Sequence, residues 1–582
     1  MKRETTLLAS LERLRKRKLV EWALAYLAGA WLIMQLVDVL SDRWPLPLAA
    51  QRGIDLLLLV GFFVALTLAW YHGEKGRQRV TGPELMILAV LLFVAGTLLS
   101  FLGAGDRPAG ESERVAVETQ SVTEIQPGLA VLPFRNLSGD PEQEYFVAGM
   151  HEALIASLSQ IHGLRVISRT SMMRYGETER SIPEIAAELN VDSLIEGSVN
   201  TVDEKVRITI QLIDGQTDGH IWGDEYDRDL TDVLVLLSQV AGSVAEQVEV
   251  SLAPEVTERL NSVTPVRPEL LDLYLRGRYA FSSLTRSGLS QAVEYFEEAI
   301  RIDPTYATAW AGLSGTQVYA AYLGYVPRSV GIPEGERAAL RAIELDPGLS
   351  VAHTSLAWVR LFQFDWVAAR DAFERALEIN PNDVDALHGL GDYLTVTGNG
   401  ELGLEYVRQA RENDPFSPMW GHSVLVHLHL MRRYEQVIAA ADEILEQNPR
   451  PMVWGARGFA CWQLGHHEEA LDNFRSMLGR RPERLDAMEV AYARGGPEAA
   501  VLAIADISAV VARESGTAPL WLALWYARAG DTENALLWVK SAFEKRSPDL
   551  IYIGVRPELE ILHSDPRFQD LLAKMGLQAQ SF

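Results

Sequence analysis

The sequence is poor in the residues and motifs that build covalent or metal-dependent chemistry. Its 582 residues include one cysteine, Cys461, so the chain cannot form an internal disulfide bond. It contains no P-loop, HExxH, paired CxxC or dinucleotide-binding motif. We therefore expect a protein that is not an enzyme and that needs no cofactor and no metal ion.

Positive charge is scarce beyond the first fifth of the chain. The formal net charge is −25, and residues 1–105 carry 12 Lys and Arg against 8 Asp and Glu, which leaves 41 against 70 for the remainder. A body this acidic repels the phosphate backbone of nucleic acids. We therefore expect no nucleic-acid partner.

Long apolar runs, in contrast, are present near the amino terminus. They cover Leu19–Leu40, Ile54–Tyr71 and Leu85–Leu102, with 22, 18 and 18 residues. A membrane-spanning helix needs about 20 predominantly apolar residues. The first run is too long for the apolar part of a cleaved signal peptide, and two further runs follow it. The sequence therefore predicts three transmembrane helices over residues 19–103.

Basic residues around these runs predict the orientation in the membrane. The leader, residues 1–18, carries seven Lys and Arg, the loop 41–53 carries two and the loop 73–79 carries three. Lys and Arg favour the cytoplasmic side, which places the leader and the second loop inside. Everything after Gly103 then lies outside. We expect a multi-pass protein of a bacterial inner membrane, with a cytoplasmic N-terminus and a periplasmic main body.

A small α/β domain is predicted over residues 127–252, after a polar tether at 104–126. The stretches "LAVLPF", "LRVIS" and "SLIEGSV" are typical of buried strands, and helical stretches separate them. The stretch "KVRITIQLID" instead alternates apolar and polar residues, which indicates a strand with one face in water. Because both strand types occur, we predict a mixed sheet.

The loop between the first strand and the first helix has the position of a phosphate-binding loop. Asp140 and Pro141 suit the start of a helix. A phosphate-binding loop needs several glycines or a lysine, and this loop has Gly139 alone. We predict a helix-capping turn, and we keep an enzyme or ligand-binding activity of the α/β domain as an alternative.

After a second predicted linker, residues 253–266, the chain repeats itself. Four prolines lie 34 residues apart: Pro347, Pro381, Pro415 and Pro449. This period is the length of a tetratricopeptide helix pair. Alanines and phenylalanines recur before the prolines, where small residues let helices approach and an aromatic ring fills the gap. We therefore identify tetratricopeptide repeats and predict an all-α superhelix with a C-terminal cap over residues 267–582.

The concave side of the array is the predicted binding surface, because the first helix of each pair lines it. The candidate protein-binding residues on these helices are Trp358, His388, Asp392, His422, His429, Phe459 and Trp462. Trp358 and Trp462 suit packing between neighbouring repeats equally well. The interval from Pro304 to Pro347 is 43 residues, and we expect the extra residues to form a loop on the binding face.

A second family resemblance covers the α/β domain. The stretches "LAVLPFRNLSGDPEQEYFVAGM", "AAELNVDSLIEGSV" and "HIWGDEYDRDL" resemble the TolB amino-terminal-like domain. This resemblance implies a relation to bacterial membrane signalling proteins, in which the domain precedes tetratricopeptide repeats and follows a cytoplasmic winged-helix or adenylate-cyclase domain. Only 18 residues precede the first apolar run, so we expect that output domain to be missing here.

Together these patterns predict a multidomain protein with three transmembrane helices, a small α/β domain and a tetratricopeptide superhelix. We expect a membrane-anchored scaffold that binds a protein or peptide partner of the cell envelope through its periplasmic array. The oligomeric state stays open. The alternative function is a transmembrane signal-transduction component that relays to a separate cytoplasmic cyclase or transcription regulator.

Overall fold

The structure is a computed structural model that describes residues 126–202, 205–479, 481–515, 517 and 519–578. The predicted leader, the three apolar runs and the tether up to residue 125 lie outside the described residues. Their prediction is therefore not tested by the fold.

A mixed six-stranded sheet organises the first part of the described chain, which confirms the predicted α/β domain. Its strands are β1 (Gly128–Val131), β2 (Arg135–Asn136), β3 (Arg165–Val166), β4 (Ser193–Val202), β5 (Lys205–Asp214) and β6 (His220–Asp229). The order across the sheet is β3-β1-β4-β5-β6, with β2 beside β4. The ladders among β1 to β4 are parallel, whereas β4, β5 and β6 pair antiparallel.

Helices cover both faces of this sheet. They are α1 (Glu144–Ser159), α2 (Arg169–Met172), α3 (Ile182–Leu189), α4 (Val233–Gln247) and α5 (Pro254–Asn261). Val206, Ile208 and Ile210 of β5 are buried in one apolar cluster with α1 and α4, whereas Arg207 between them is exposed. The alternation predicted for this strand is therefore confirmed.

A helix, α5, stands where the linker at 253–266 was predicted. Pro254 opens it, a position where the missing N–H of proline costs nothing. Val256 and Leu260, one turn apart, are buried in the same cluster as α4. Ser238 of α4 also donates a hydrogen bond to the carbonyl of Leu260 at 2.8 Å. The segment is a helix and not a linker because burying these two side chains is favourable.

Helix pairs continue the chain to its C-terminal part. Their bounds are α6 (Pro268–Ser282), α7 (Arg286–Ile302), α8 (Ala307–Tyr322), α9 (Arg328–Leu345), α10 (Ser350–Phe362), α11 (Trp366–Ile379), α12 (Val384–Val396), α13 (Gly400–Asn413), α14 (Pro418–Leu430), α15 (Tyr434–Gln447), α16 (Pro451–Gln463), α17 (His467–Leu478), α18 (Pro482–Glu514), α19 (Leu520–Arg528), α20 (Thr532–Glu544) and α21 (Pro566–Lys574). The prolines of the 34-residue series each follow the second helix of a pair, as after α9, α11, α13 and α15. The predicted repeat architecture is confirmed.

Recurrent phenylalanines hold the helices of the array together. Phe373 of α11 and Phe474 of α17 are fully buried. A Cβ atom added to Gly389 would lie 2.1 Å from the ring of Phe373, and one added to Gly458 would lie 2.5 Å from that of Phe474. Each ring therefore occupies the space that a side chain on the facing helix would need.

The extra residues before Pro347 do not form the expected loop. Helices α8 and α9 have 16 and 18 residues, against 13 and 14 in α10 and α11. Gly331 and Gly335 of α9 contact α8 so closely that added Cβ atoms would lie 2.9 and 2.7 Å from Ala321 and Val318. The insertion is therefore absorbed as longer, tightly packed helices, with a slightly longer turn.

Helix α18 is the one helix of the described ranges that has the length and apolar composition to cross a membrane. Gly496, at φ 75° and ψ −162°, interrupts its helical conformation. Val501 and Ile504, beyond the interruption, are buried among the last helices of the array. Its apolar face is thus used in the core of the C-terminal repeats.

Candidate functional site

The inner face of the repeats is covered by a later part of the chain itself. Residues 548–562, which we call the closing segment, form two short 3-10 helices after α20. Its Ile551 is buried in one cluster with Leu390 of α12. Its Val555 is buried in a cluster with Leu430 of α14. The closing segment therefore lies along the first helices of consecutive repeats, where the binding surface was predicted.

A buried carboxylate on α12, that of Asp392, contacts the first half of the closing segment. The hydroxyl of Tyr552 donates a hydrogen bond to Oδ1 of Asp392 at 2.6 Å. Nε2 of His427 lies 3.3 Å from the same oxygen, and Nε2 of His388 lies 3.7 Å from Oδ2. Burial opposes ionisation, but His388, His427 and Tyr552 outweigh it and lower the pKa of Asp392. We call these four residues the Asp392 cluster.

A second buried carboxylate, that of Glu558, fixes the other half of the closing segment. It contacts the guanidinium of Arg528 on α19, and Nε2 of His429 lies 2.7 Å from its Oε1. The same guanidinium lies over the ring of Phe459 at 3.7 Å. Burial alone would raise the pKa of Glu558, but Arg528 and His429 hold it well below its ordinary value. We call these four residues the Glu558 cluster.

Four of the predicted binding residues belong to these two clusters. His388 and Asp392 meet in the first, and His429 and Phe459 lie in the second. Asp392 is 1% exposed and His429 is 4% exposed. Asp392 and His429 were predicted as exposed groove residues. The structure corrects this prediction, because the closing segment covers both side chains.

The other three predicted residues belong to neither cluster, although the ring of Trp358 lies 5.6 Å from that of His388. Trp358 is half-buried, with its ring 5.5 Å from that of Phe373, so it packs between repeats. Trp462 is 9% exposed and stacks on the ring of His467 at 4.3 Å. His422 is half-buried, and burial lowers its pKa to about 4. The structure therefore does not bring all seven residues into one site.

Sequence reasoning missed the partners that complete the two clusters. Tyr552 and Glu558 lie in 3-10 helices without a periodic pattern, far along the chain from α12 and α14. Arg528 could have been found from the sequence, because it ends the apolar stretch "LWLALWYAR". In the structure it is 8% exposed. A cation on such a helix requires a buried acid nearby.

The α/β domain docks on the turns between repeats. Asn382, directly after Pro381, is 8% exposed. Its Nδ2 donates hydrogen bonds to the carbonyl oxygens of Ser159 and Leu164 at 3.0 and 2.8 Å. Its Oδ1 accepts a hydrogen bond from the N–H of Val166 at 3.1 Å. One side chain of the array therefore satisfies three backbone groups of the α/β domain.

The next turn of the array repeats this arrangement with other side chains. The hydroxyl of Ser171 donates a hydrogen bond to Oδ1 of Asp414 at 2.5 Å and accepts one from the N–H of Phe416 at 3.0 Å. Nε1 of Trp420 donates to the other oxygen of Asp414 at 3.1 Å. The α/β domain and the middle repeats thus share a polar interface joined by several hydrogen bonds.

The arrangement is suited to recognition of a polypeptide. Buried carboxylates, histidines and aromatic rings on the first helices already hold a segment that is built of 3-10 turns. Over the part of the chain that the structure describes, no three His, Cys, Asp or Glu side chains are grouped as metal ligands.

Two family models match parts of the chain. Residues 126–232 match the second domain of HilA/YgeH-like transcriptional regulators. Residues 354–418 match the tetratricopeptide repeat. The chain therefore contains tetratricopeptide repeats and a domain similar to one of a transcriptional regulator.

Known proteins share parts of this architecture. "Putative adenylate cyclase 3" of Rhizobium meliloti (strain 1021) is 34% identical over 271 residues, which are 46% of this chain and 45% of that protein. The Hsp70-Hsp90 organizing protein of Triticum aestivum is 27% identical over 122 residues, which are 20% of this chain and 19% of that protein. The chain thus spans less than half the length of either relative.

Solved structures of repeat proteins are similar at a lower level. YrrB, described as a TPR protein with an unusual peptide-binding site, is 18% identical with a TM-score of 0.27, and the match covers 34% of this chain and 98% of that one. PilF of Pseudomonas aeruginosa is 15% identical with a TM-score of 0.30, and the match covers 39% and 98%. Likeness at this level adds nothing about function.

Proposed function

We propose that this chain is a membrane-anchored scaffold that binds protein partners through its tetratricopeptide array. The repeats themselves support a protein-binding role. The observation that carries the proposal is the closing segment, because it shows that the inner face holds a polypeptide by side-chain anchors. The three apolar runs support the membrane anchor, and the distribution of basic residues supports a periplasmic main body.

The partner surface in this proposal is the part of the inner face that the closing segment leaves accessible. Tyr322, at the end of α8, is 37% exposed and stacks on Phe362 of the next first helix at 6.2 Å. Aromatic side chains at such positions are typical anchors for a bound polypeptide. Leu340, on the second helix α9, is 46% exposed and offers a matched position on the other helix layer.

A photo-cross-linking experiment tests the proposal. A benzophenone amino acid replaces Tyr322 or, as the control, Leu340 in the full chain expressed in its membrane. We expect cross-links to a discrete protein from position 322 and none from position 340. Equal cross-linking from both positions, or none from position 322, would contradict a partner surface on the inner face.

The sidedness is tested separately. A reporter that is active only in the periplasm and one that fluoresces only in the cytoplasm are each fused after Phe582. A periplasmic signal agrees with three spans and with partners in the envelope. A cytoplasmic signal would contradict the span count or the orientation and would make the chain a membrane-tethered cytosolic scaffold.

A second candidate function is transmembrane signal transduction. It is favoured by the match of residues 126–232 to a domain of transcriptional regulators and by the partial likeness to a protein named as an adenylate cyclase. The resemblance to the TolB amino-terminal-like domain belongs to the same proposal. A cytoplasmic cyclase or regulator cross-linked to the leader would favour this function, whereas envelope proteins alone would favour the scaffold.

A further inference from the structure

One edge strand of the sheet, β3, is covered by the repeat array, whereas the other edge strand, β6, is not paired on its outer side by any strand that the structure describes. The outer edge of β3 is closed, because the N–H of Val166 donates its hydrogen bond to Asn382 of the array. At the opposite end of the sheet, β6 pairs with β5 on one side, and no other described strand pairs with it. A strand of ten residues is therefore left with one unpaired edge.

Two side-chain contacts show which backbone groups of β6 point outward. The N–H of Glu225 donates to its neighbour Asp224 at 2.8 Å, and the carbonyl of Asp227 accepts from Arg228 at 3.0 Å. Both groups are thus directed away from β5. Because alternate residues of a strand share a direction, Gly223 also presents its N–H and carbonyl at the open edge.

The open edge of β6 is acidic, and it borders a shallow depression in the surface. Four of its last six residues are exposed acids: Asp224, Glu225, Asp227 and Asp229. Arg207 of β5 lies 3.2 and 3.0 Å from the carboxylates of Glu225 and Asp227, on the face of the sheet that is in water. Beside Gly223, residues of β5 and β6 line a shallow depression of about 460 Å³. Ile221 at its border is 42% exposed.

We propose that β6 accepts an extended strand of a protein partner that carries Lys or Arg at alternate positions. The added strand forms main-chain hydrogen bonds to the outward groups of Gly223, Glu225 and Asp227. Its basic side chains lie beside Glu225 and Asp227 on the face of the sheet that is in water, and the residues between them point to the opposite face. A second copy of this chain is a poor occupant because two β6 strands would place acid beside acid.

The contacts at Asp224 and Arg228 do not close this edge. Each contact joins a side chain to the backbone of an adjacent residue. A bound strand can therefore replace it when that side chain rotates away, without any movement of β6. The alternation of faces also stays intact, since Trp222 and Tyr226 pack towards the core of the α/β domain. The edge is therefore accessible to a strand while the fold is unchanged.

The test measures binding of a fluorescent octapeptide of alternating Lys and Val to the full chain in detergent, by anisotropy. Gly223→Pro removes the outward N–H, whereas Gly223→Ala keeps it, and an added Cβ meets atoms no closer than 3.4 Å. We expect Gly223→Pro to weaken binding about tenfold, the effect of one lost hydrogen bond, and Gly223→Ala to leave it unchanged.

Peptide controls separate strand addition from charge attraction. An octapeptide of the same charge with two prolines, and one of alternating Glu and Val, should both fail to bind. Equal binding of the proline peptide, or equal effects of Gly223→Pro and Gly223→Ala, would overturn the proposal. Sedimentation of the chain without peptide gives a further outcome: self-association that Gly223→Pro abolishes would assign the edge to a second copy and overturn a basic partner.

Discussion

Removing the charge of Glu558 is the sharpest test of how the inner face is closed. Glu558 and Arg528 have side chains 0% and 1% exposed, so their charges have no water to replace a lost partner. In Glu558→Gln the shape is kept but the guanidinium stays buried without a counter-charge. Breaking a buried pair in this way costs about 3–5 kcal/mol.

Glu560 provides the matched control on the same segment. It forms an ion pair with Arg432, but its side chain is 45% exposed. Exposed pairs contribute below about 1 kcal/mol. Glu560→Gln is therefore the same chemical change two residues away, with a small expected effect.

Hydrogen exchange of peptides from the closing segment measures the difference. An opening free energy lowered by at least about 3 kcal/mol raises the exchange rate more than about 100-fold. We expect this increase for Glu558→Gln and less than about fivefold for Glu560→Gln. Equal exchange in the two variants would refute the reasoning that the buried pair holds the segment.

The same pair predicts an acid sensitivity. Because the folded-state pKa of Glu558 is held well below its ordinary value, its stabilisation is present at neutral pH and is lost as the pH falls through that folded-state value. After correction for the slower intrinsic exchange of amides in acid, the opening free energy of the closing segment should therefore decrease as the pH falls in the wild type. Glu558→Gln should not show this decrease, and a variant that does would assign it to another group.

Three further predictions concern the rest of the array. In Asn382→Ala the backbone groups of the α/β domain lose their partners, at about 1–3 kcal/mol for each buried group, and the amide of Val166 should lose exchange protection. Burial raises the pKa of Asp385 to about 7, so the contribution of this residue to stability falls as pH rises from about 4 to 7. At pH 8 Asp385→Asn should therefore be more stable to urea than the wild type. Gly389→Ala should destabilise by about 1–3 kcal/mol through the ring of Phe373, and Phe373→Leu should remove most of that added cost in a double-mutant cycle.

The repeats and the sheet could be predicted because their signals are local. The prolines recur at a fixed spacing, and β5 alternates with a period of two. The helix α5 was missed although its signal was present, since Val256 and Leu260 have the spacing of one helical face. A short amphipathic stretch between two domains is easily mistaken for a linker.

The state of the inner face could not be predicted in the same way. Asp392 and Tyr552 are 160 residues apart, and no periodic pattern relates them. The docking contact of Asn382 with Ser159 spans 223 residues. Such contacts are set by how the array curves, which depends on packing along all of its helices.

The closing segment also imposes an order on biosynthesis. Tyr552 leaves the ribosome 160 residues after Asp392, which is roughly 10–30 s at ordinary rates of synthesis. During that interval the nascent array carries its acids and histidines without the groups that later cover them. A newly made chain therefore passes through a stage at which its inner face is open to other polypeptides, and that stage ends only when the last helices are made.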